Sequence, residues 1–578
     1  MRRFAVIVSL VAGSALCAFV LSGCPEEGKE KPADTAEPAK PEPAPKPADV
    51  KEPALKQVDE VEPNEKTSQA MPIAEASEVK AKLEAAEGKG KRSVDWYKVA
   101  PGAKKVVSVK ATGVAGENLE LSFLDRDKNP LFSVDSGGEG EPESYPNLTV
   151  ADEVYLKVSG SKGGAGGDYR LAISMSDPKE GFEEEYNGRY STANALALGQ
   201  SVKGYLSHMR DEDWYLLELK DMPTGSVLRI ELSAVDKVRF ALEALDKEER
   251  APILKTKSSE TGQGIMVRNM GVPGTPEAIY LVIKSSWVAQ GKGKSTRTYN
   301  PEIAYSLTVS SEAGGDDLEK EPNDDYNEAF ELVDGQKVRG YLSSANDVDL
   351  YKIEVERPSL LAAELSGLNR VNLRLQVIDP EKKKDQRNYE LVRVDDGEVG
   401  EEEVLTNCAL QPGTNYLRVD GSFKKVDGKW TRIDYNLDET YELKVNLRTD
   451  DGREEREPNK TPKQATPITV GGTLRGTLHP KGDVDTFKLD LSGQDGPRNT
   501  LIECTGIPKV DISAKLLGPE MDDKGNHKAV ASSAKGKGEE KEQVSSELMP
   551  GEYFIVISGK PRNESNTRDQ YVLTVTQP

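Results

Sequence analysis

Histidine is almost missing from this chain: His208, His479 and His527 are the only three in 578 residues. So little imidazole argues against hydrolases that use a histidine base and against transition-metal centres. Cysteine is nearly as scarce. Cys17 and Cys24 lie at the extreme N-terminus, and only Cys408 and Cys504 follow, which is too few for a disulfide framework. There is no basic excess either, since 77 Lys and Arg face 99 Asp and Glu for a formal charge of −22. A nucleic-acid partner is therefore not expected, because phosphate neutralisation needs clustered positive charge. Divalent cations are not excluded, although a diffuse acidic surface commonly serves solubility alone. Aromatic residues make up only 6% and hydrophobic residues 36% of the chain. That is lean, yet sufficient for modest β domains with charged surfaces, and the length calls for roughly three to five of them.

Long apolar runs are absent too, with one exception. Met1-Arg2-Arg3 gives a positive start and Phe4 to Leu21 carries no charge, the pattern of an export signal. It ends in Leu21-Ser22-Gly23-Cys24, which resembles the lipobox of bacterial lipoproteins. That resemblance implies a signal peptide over residues 1–23, cleavage before Cys24, and acylation of its thiol and of the new amino terminus. An ordinary secretory signal or an uncleaved anchor is the alternative reading. Each buried acyl methylene contributes roughly 0.8 kcal/mol, so several chains would hold the protein firmly to a membrane. Pro25 stands where an Asp would favour inner-membrane retention under the enterobacterial sorting rule, which by resemblance points to the outer membrane and leaves the face open. Residues 24–57 are Pro, Ala, Glu and Lys with few large apolar side chains and cannot bury enough surface to fold. They read as a semi-stiff tether of up to about 100 Å.

Self-comparison shows one pattern four times. Glu-x-Glu-x-Asn occurs as Glu60, Glu62, Asn64; as Glu183, Glu185, Asn187; as Glu319, Glu321, Asn323; and as Glu455, Glu457, Asn459. At fixed distances from the second Glu come an Ala (Ala70, Ala193, Ala329, Ala465) and a Leu (Leu83, Leu206, Leu342, Leu478). Two residues before that Leu stands Gly204, Gly340 or Gly476, or Ala81 in the first copy. An acidic step then precedes an aromatic: Asp211 and Asp213 before Tyr215, Asp347 and Asp349 before Tyr351, Asp483 and Asp485 before Phe487. The first copy has Ser93 and Asp95 before Tyr97. Each copy closes on two strand-like runs, the second beginning at Tyr169, Tyr305, Tyr441 or Tyr571.

Alternating apolar residues between Gly, Pro, Asn and Asp clusters, with no sustained helical period after the signal, predict an all-β chain. The expected organisation is a tandem array of four β-sandwich, jelly-roll-like domains over residues 58–178, 179–313, 314–449 and 450–578. The four-fold pattern resembles the bacterial pre-peptidase C-terminal domain family, related to the collagen-binding domains of clostridial collagenases. Membership implies binding or folding support rather than chemistry.

The resemblance also implies calcium. In collagen-binding relatives, linker acids and amides join loop aspartates around the ion, which carries over here to Glu319, Glu321, Asn323, Asp324, Asp347 and Asp349, six hard oxygen donors. Weaker equivalents are Glu183, Glu185, Asn187, Asp211 and Asp213, and Glu455, Glu457, Asn459, Asp483 and Asp485. Gly188 and Lys460 stand there in place of Asp324. The same residues also read as a domain-joining turn with hairpin-capping aspartates.

No nucleophile–base–acid set is evident, so no enzyme is expected. Gly291-Lys292-Gly293-Lys294-Ser295 lacks the first glycine of a phosphate loop and no helix follows it. Cys504 aligns with Leu365 and reads as a core thiol. The function expected is a membrane-anchored, non-catalytic binding or scaffold lipoprotein of the cell envelope, whose partner is an envelope protein or polysaccharide. A substrate-binding lipoprotein of a transport system is the alternative, although the strand–helix alternation such lobes need is not visible.

Overall fold

The computed structural model describes residues 55–578, apart from 87–89, 275, 292, 380–389, 427, 433–434 and 563. Cys24, the signal segment and nearly all of the tether lie outside the described residues. Ala54–Pro578 is one compact unit. Its only helices among the described residues are the single 3-10 turns Thr67–Gln69 and Tyr190–Thr192, and everything else that is regular is strand. No described helix is long and apolar enough to cross a membrane.

The strands form where the alternation places them. In Ser77–Leu83 the side chains of Val79, Ala81 and Leu83 are buried while Lys80 and Lys82 face water, the pattern of a sheet with one face on a core. Central strands lose the alternation because both faces are covered, as in Leu373–Ile378, where every residue is buried.

The third copy illustrates the architecture. One sheet has the spatial order Phe330–Leu332, Val348–Val355, Gly413–Gly421, Leu373–Ile378, Glu390–Val394. The facing sheet runs Lys337–Leu342, Asn436–Thr449, Ser359–Leu365, Glu403–Leu410. Pairing is antiparallel except for the first pair, Phe330↔Tyr351 to Leu332↔Ile353, which is parallel. A buried cluster including Leu361, Leu375, Leu417 and Leu443 fills the space between the sheets. The other copies repeat the order and each has its own cluster. The first copy adds Lys56–Asp59 as an outer strand.

The all-β expectation therefore holds. The copies are less separate than a string of independent domains, because the linkers belong to two sheets at once. Phe182, Leu318 and Glu454 bridge to Lys203, Arg339 and Arg475 of their own copy, while Glu185, Glu321 and Glu457 bridge to Leu148, Met270 and Cys408 of the preceding one. The sheets run on through each joint in the manner of a solenoid.

Candidate metal centre

Along the linker Glu319, Glu321 and Asn323 are buried while Lys320 is exposed, and alternation sets Asp347 and Asp349 on one side of the strand that follows. The fold brings the two sets together. Carboxylate oxygens of Glu319, Glu321 and Asp349 lie within 4.8 Å of one another, and so do those of Glu321, Asp324 and Asp347. Asp324 is exposed; the other acids and Asn323 are buried. The outer group opens onto a groove of about 710 Å³ that Ile265 and Lys257 of the second copy also line.

Backbone and side-chain donors hold the acids in place. Glu319 accepts from the Tyr341 N–H at 3.0 Å and from Asn323 Nδ2 at 2.8 Å. Asp324 accepts from the Val348 N–H at 3.0 Å, and Asp347 accepts from the Ser343 N–H. From below, Tyr441 donates to Asp349 Oδ2 and shares a 2.5 Å hydrogen bond with Tyr351. Two buried oxygens, Asn323 Oδ1 and Asp349 Oδ1, have no partner.

Burial dominates the electrostatics. Desolvation raises Glu319 to about 8 and Asp347 to about 7, against ordinary values near 4. Glu321 and Asp349 are pushed well above the carboxylate range by burial and by their acidic neighbours. Buried carboxylates this close cannot all ionise without a countercharge, so protons or a cation must neutralise them. Calcium fits: the donors are all oxygen, and two of the buried oxygens have no hydrogen-bond donor. Glu319, Glu321, Asn323, Asp347 and Asp349, with Asp324 at the mouth, are the residues that would hold it.

The second copy gathers Glu183, Glu185 and Asp213, with Glu185 Oε1, Asn187 Oδ1 and Asp213 Oδ1 unpartnered. Burial lifts Glu183 to about 8 and Glu185 and Asp213 well above the carboxylate range. Asp211 stands just outside this group, accepting from the Ser207 N–H at 2.6 Å. Gly188 leaves the outer position to the Tyr186 ring, which fills the space a side chain there would need.

The fourth copy gathers Glu455, Glu457 and Asp485 but neutralises itself further. Lys460 Nζ sits 3.7 Å from Asp483 Oδ1, and the Asn459 amide, turned to suit its neighbours, donates to Glu457 Oε1 at 3.0 Å and to Asp485 Oδ1 at 3.2 Å. In the first copy Glu60, Glu62 and Asp95 meet, with Glu62 exposed.

Three elements escaped the sequence reading. The tyrosines beneath the clusters, paired in the first three copies and single in the fourth, where Phe487 replaces one of them, read only as strand residues. Yet Tyr169 donates to Asp95 at 2.8 Å, and Tyr305 to Asp213 and Tyr571 to Asp485 at 2.6 Å. Gly340 recurs because the Tyr441 ring lies across it, with the hydroxyl in the space a Cβ would occupy. The third is an asparagine of the preceding copy beside each linker. The acids were found because they recur; these partners are far away in sequence.

Elsewhere, Cys408 and Cys504 are buried, free thiols. Trp287–Ala289 and Ser295–Arg297, on either side of the glycine–lysine stretch of the sequence, pair as antiparallel strands.

No family model matches the chain. It is 24% identical over 276 residues to collagenase ColA of Clostridium perfringens (strain 13 / Type A), a match that takes in 47% of this chain and 24% of that protein. The chain thus spans about a quarter of the curated relative's length. A solved pre-peptidase C-terminal domain of a Bacillus anthracis collagenase aligns over its whole length with 20% of this chain, at 16% identity and a TM-score of 0.17. The chain is thus similar in sequence to a stretch of a clostridial collagenase.

Proposed function

We propose that this protein is a non-catalytic binding array of the bacterial cell envelope: four tandem jelly-roll-like sandwiches, 58–178, 179–313, 314–449 and 450–578, anchored through a lipidated Cys24, directed to the outer membrane and stabilised by calcium at the linkers. The observation that carries the reading is the recurrence of a carboxylate cluster at the linker of every copy, buried in the second, third and fourth. An enzyme would need one site with differentiated roles, whereas a related cluster at each linker suits a spacer whose modules are held in order. Its similarity to a stretch of a collagenase favours an extracellular or envelope protein as the partner, with an envelope polysaccharide as the other class to test. Four copies would let individually weak contacts add through avidity.

The experiment is capture from envelope extracts by a soluble chain beginning at residue 55, with calcium and with chelator. A partner retained in calcium and lost in chelator supports the reading, and no retention in either condition defeats it. Anchoring is tested separately by labelled palmitate, which the intact chain should incorporate and Cys24→Ala should not.

A further inference from the structure

Three copies end one sheet on an edge strand that carries one residue too many. In Glu143–Val150, Pro146 and Asn147 together face Ser108, since Val107 pairs with Leu148 and Val109 with Tyr145. In Ile265–Met270, Arg268 and Asn269 face Arg229. In Glu403–Leu410, Thr406 and Asn407 face Ala362. The second residue of every bulge is asparagine. Asn269 and Asn407 are buried, and Asn407 takes the left-handed conformation, at φ 52°, that asparagine tolerates better than most residues. The corresponding edge of the fourth copy, Glu542–Leu548, pairs residue for residue with Arg498–Cys504 and contains no asparagine.

Each bulged asparagine meets the same atom of the next copy. Asn147, Asn269 and Asn407 donate from Nδ2 to Oε1 of Glu183, Glu319 and Glu455, at 3.2, 2.5 and 3.2 Å. The main chain locks beside them. The Glu321 N–H donates to the Asn269 carbonyl at 3.1 Å and the Gly271 N–H to the Glu321 carbonyl at 2.8 Å, and Glu457 does the same with Asn407 and Ala409 at 2.9 and 2.8 Å. At the first joint the Thr149 N–H donates to the Glu185 carbonyl at 2.7 Å. A bulge bends an edge strand and re-aims its side chains, and an amide donating to a carboxyl oxygen makes a directional hydrogen bond. Among the described residues Glu60 has no such strand beside it and takes its donors from Asn64, Tyr97 and the Lys82 N–H of its own copy.

We infer that the bulged asparagine is a socket that receives the Glu-x-Glu segment of the following copy and sets its register in the preceding sheet. The edge strand fits one kind of partner, an extended segment with a carboxylate two residues before the residue that enters the ladder. Asn147, Asn269 and Asn407 are positioning residues of the joints, and the device is missing from Glu542–Leu548, the edge that no linker covers among the described residues. The socket acts through an amide–carboxylate pair and does not depend on a bound cation.

The test uses the chain from residue 55 onward, in chelator. Asn269→Asp sets a second carboxylate against Glu319. Proteolysis between the second and third copies, around Gly314 and Gly315, should then speed up about tenfold as the joint opens, and solution scattering should show a longer particle. Ser546→Asp, on the unbulged edge, should change neither. Asn269→Leu, which removes the amide donor without adding a carboxyl group, should raise cleavage in the same direction. Unchanged cleavage in either Asn269 variant, with a far-ultraviolet spectrum that matches the parent, overturns the inference.

Discussion

Tyr441 donates its hydroxyl hydrogen to Asp349 Oδ2, while the other carboxylate oxygen, Oδ1, is buried without a partner. One oxygen of the acid is thus fixed from the core side and the other faces the linker acids. Tyr441→Phe removes the donor that fixes Oδ2. It should cost about 1–3 kcal/mol in chelator, the penalty for leaving a buried polar group unpaired, and weaken calcium binding by loosening the acid. Chemical denaturation and calcium titration of the variant read the two effects separately. A variant as stable as the parent, with the same affinity, would show that the tyrosine only fills space.

The raised carboxylates fix the sign of the pH dependence. A group whose folded pKa lies above its unfolded value stabilises the protein below the unfolded value, and that stability is lost as pH rises through the folded value. Glu183 and Glu319 at about 8 and Asp347 at about 7, against ordinary values near 4, place this loss between about pH 4 and pH 8. In chelator the denaturation midpoint should therefore fall from about pH 5 to about pH 8. Saturating calcium should largely remove the slope by taking the place of the protons. A midpoint that rises over this range in chelator would contradict the burial of these acids.

Lys460 supplies the fourth copy with a positive charge where the third has Asp324. Lys460→Asp should convert a self-neutralised cluster into one that needs a cation. Calorimetry should show calcium stoichiometry rising by one relative to the parent chain, and the fourth copy should melt earlier in chelator. Unchanged stoichiometry would mean that the fourth cluster cannot be completed by one acid.

Gly340 lies so close under Tyr441 that a methyl group must displace the ring. Gly340→Ala should destabilise the third copy by about 1–3 kcal/mol, the usual cost of overpacking, and shift Tyr441 away from Asp349. The first copy carries Ala81 at this position opposite Tyr169, so the fold itself tolerates the methyl. Thermal melting with tyrosine fluorescence follows both consequences, and a variant that melts with the parent would count against the close contact.

The sequence made the class of structure and the acids legible for a physical reason. Alternation such as that of Ser77–Leu83 is local, and Glu319, Glu321, Asp347 and Asp349 sit at spacings that recur from copy to copy. Asn269 lies 50 residues from the glutamate it touches, and Tyr441 lies 92 residues from Asp349. Such partners meet only through sheet pairing, which a single sequence does not display. The continuity of the sheets was hidden likewise: Glu321 reads as part of a turn, yet its main chain completes the edge of the copy before it. Lys460 was visible as a missing acid, but its service as a countercharge required the 3.7 Å approach to Asp483.

Calcium titration of the chain from residue 55 onward, followed by calorimetry at neutral pH, tests the clusters most directly. Binding should release heat and protons and raise the melting temperature, with stabilisation of about 2.7 kcal/mol once free calcium reaches about a hundred times the dissociation constant. The pair Glu321→Gln and Asp347→Asn should remove the binding event assigned to the third copy and leave the others. No heat, no proton release and no melting shift at millimolar calcium would contradict the assignment of these buried acids to a cation.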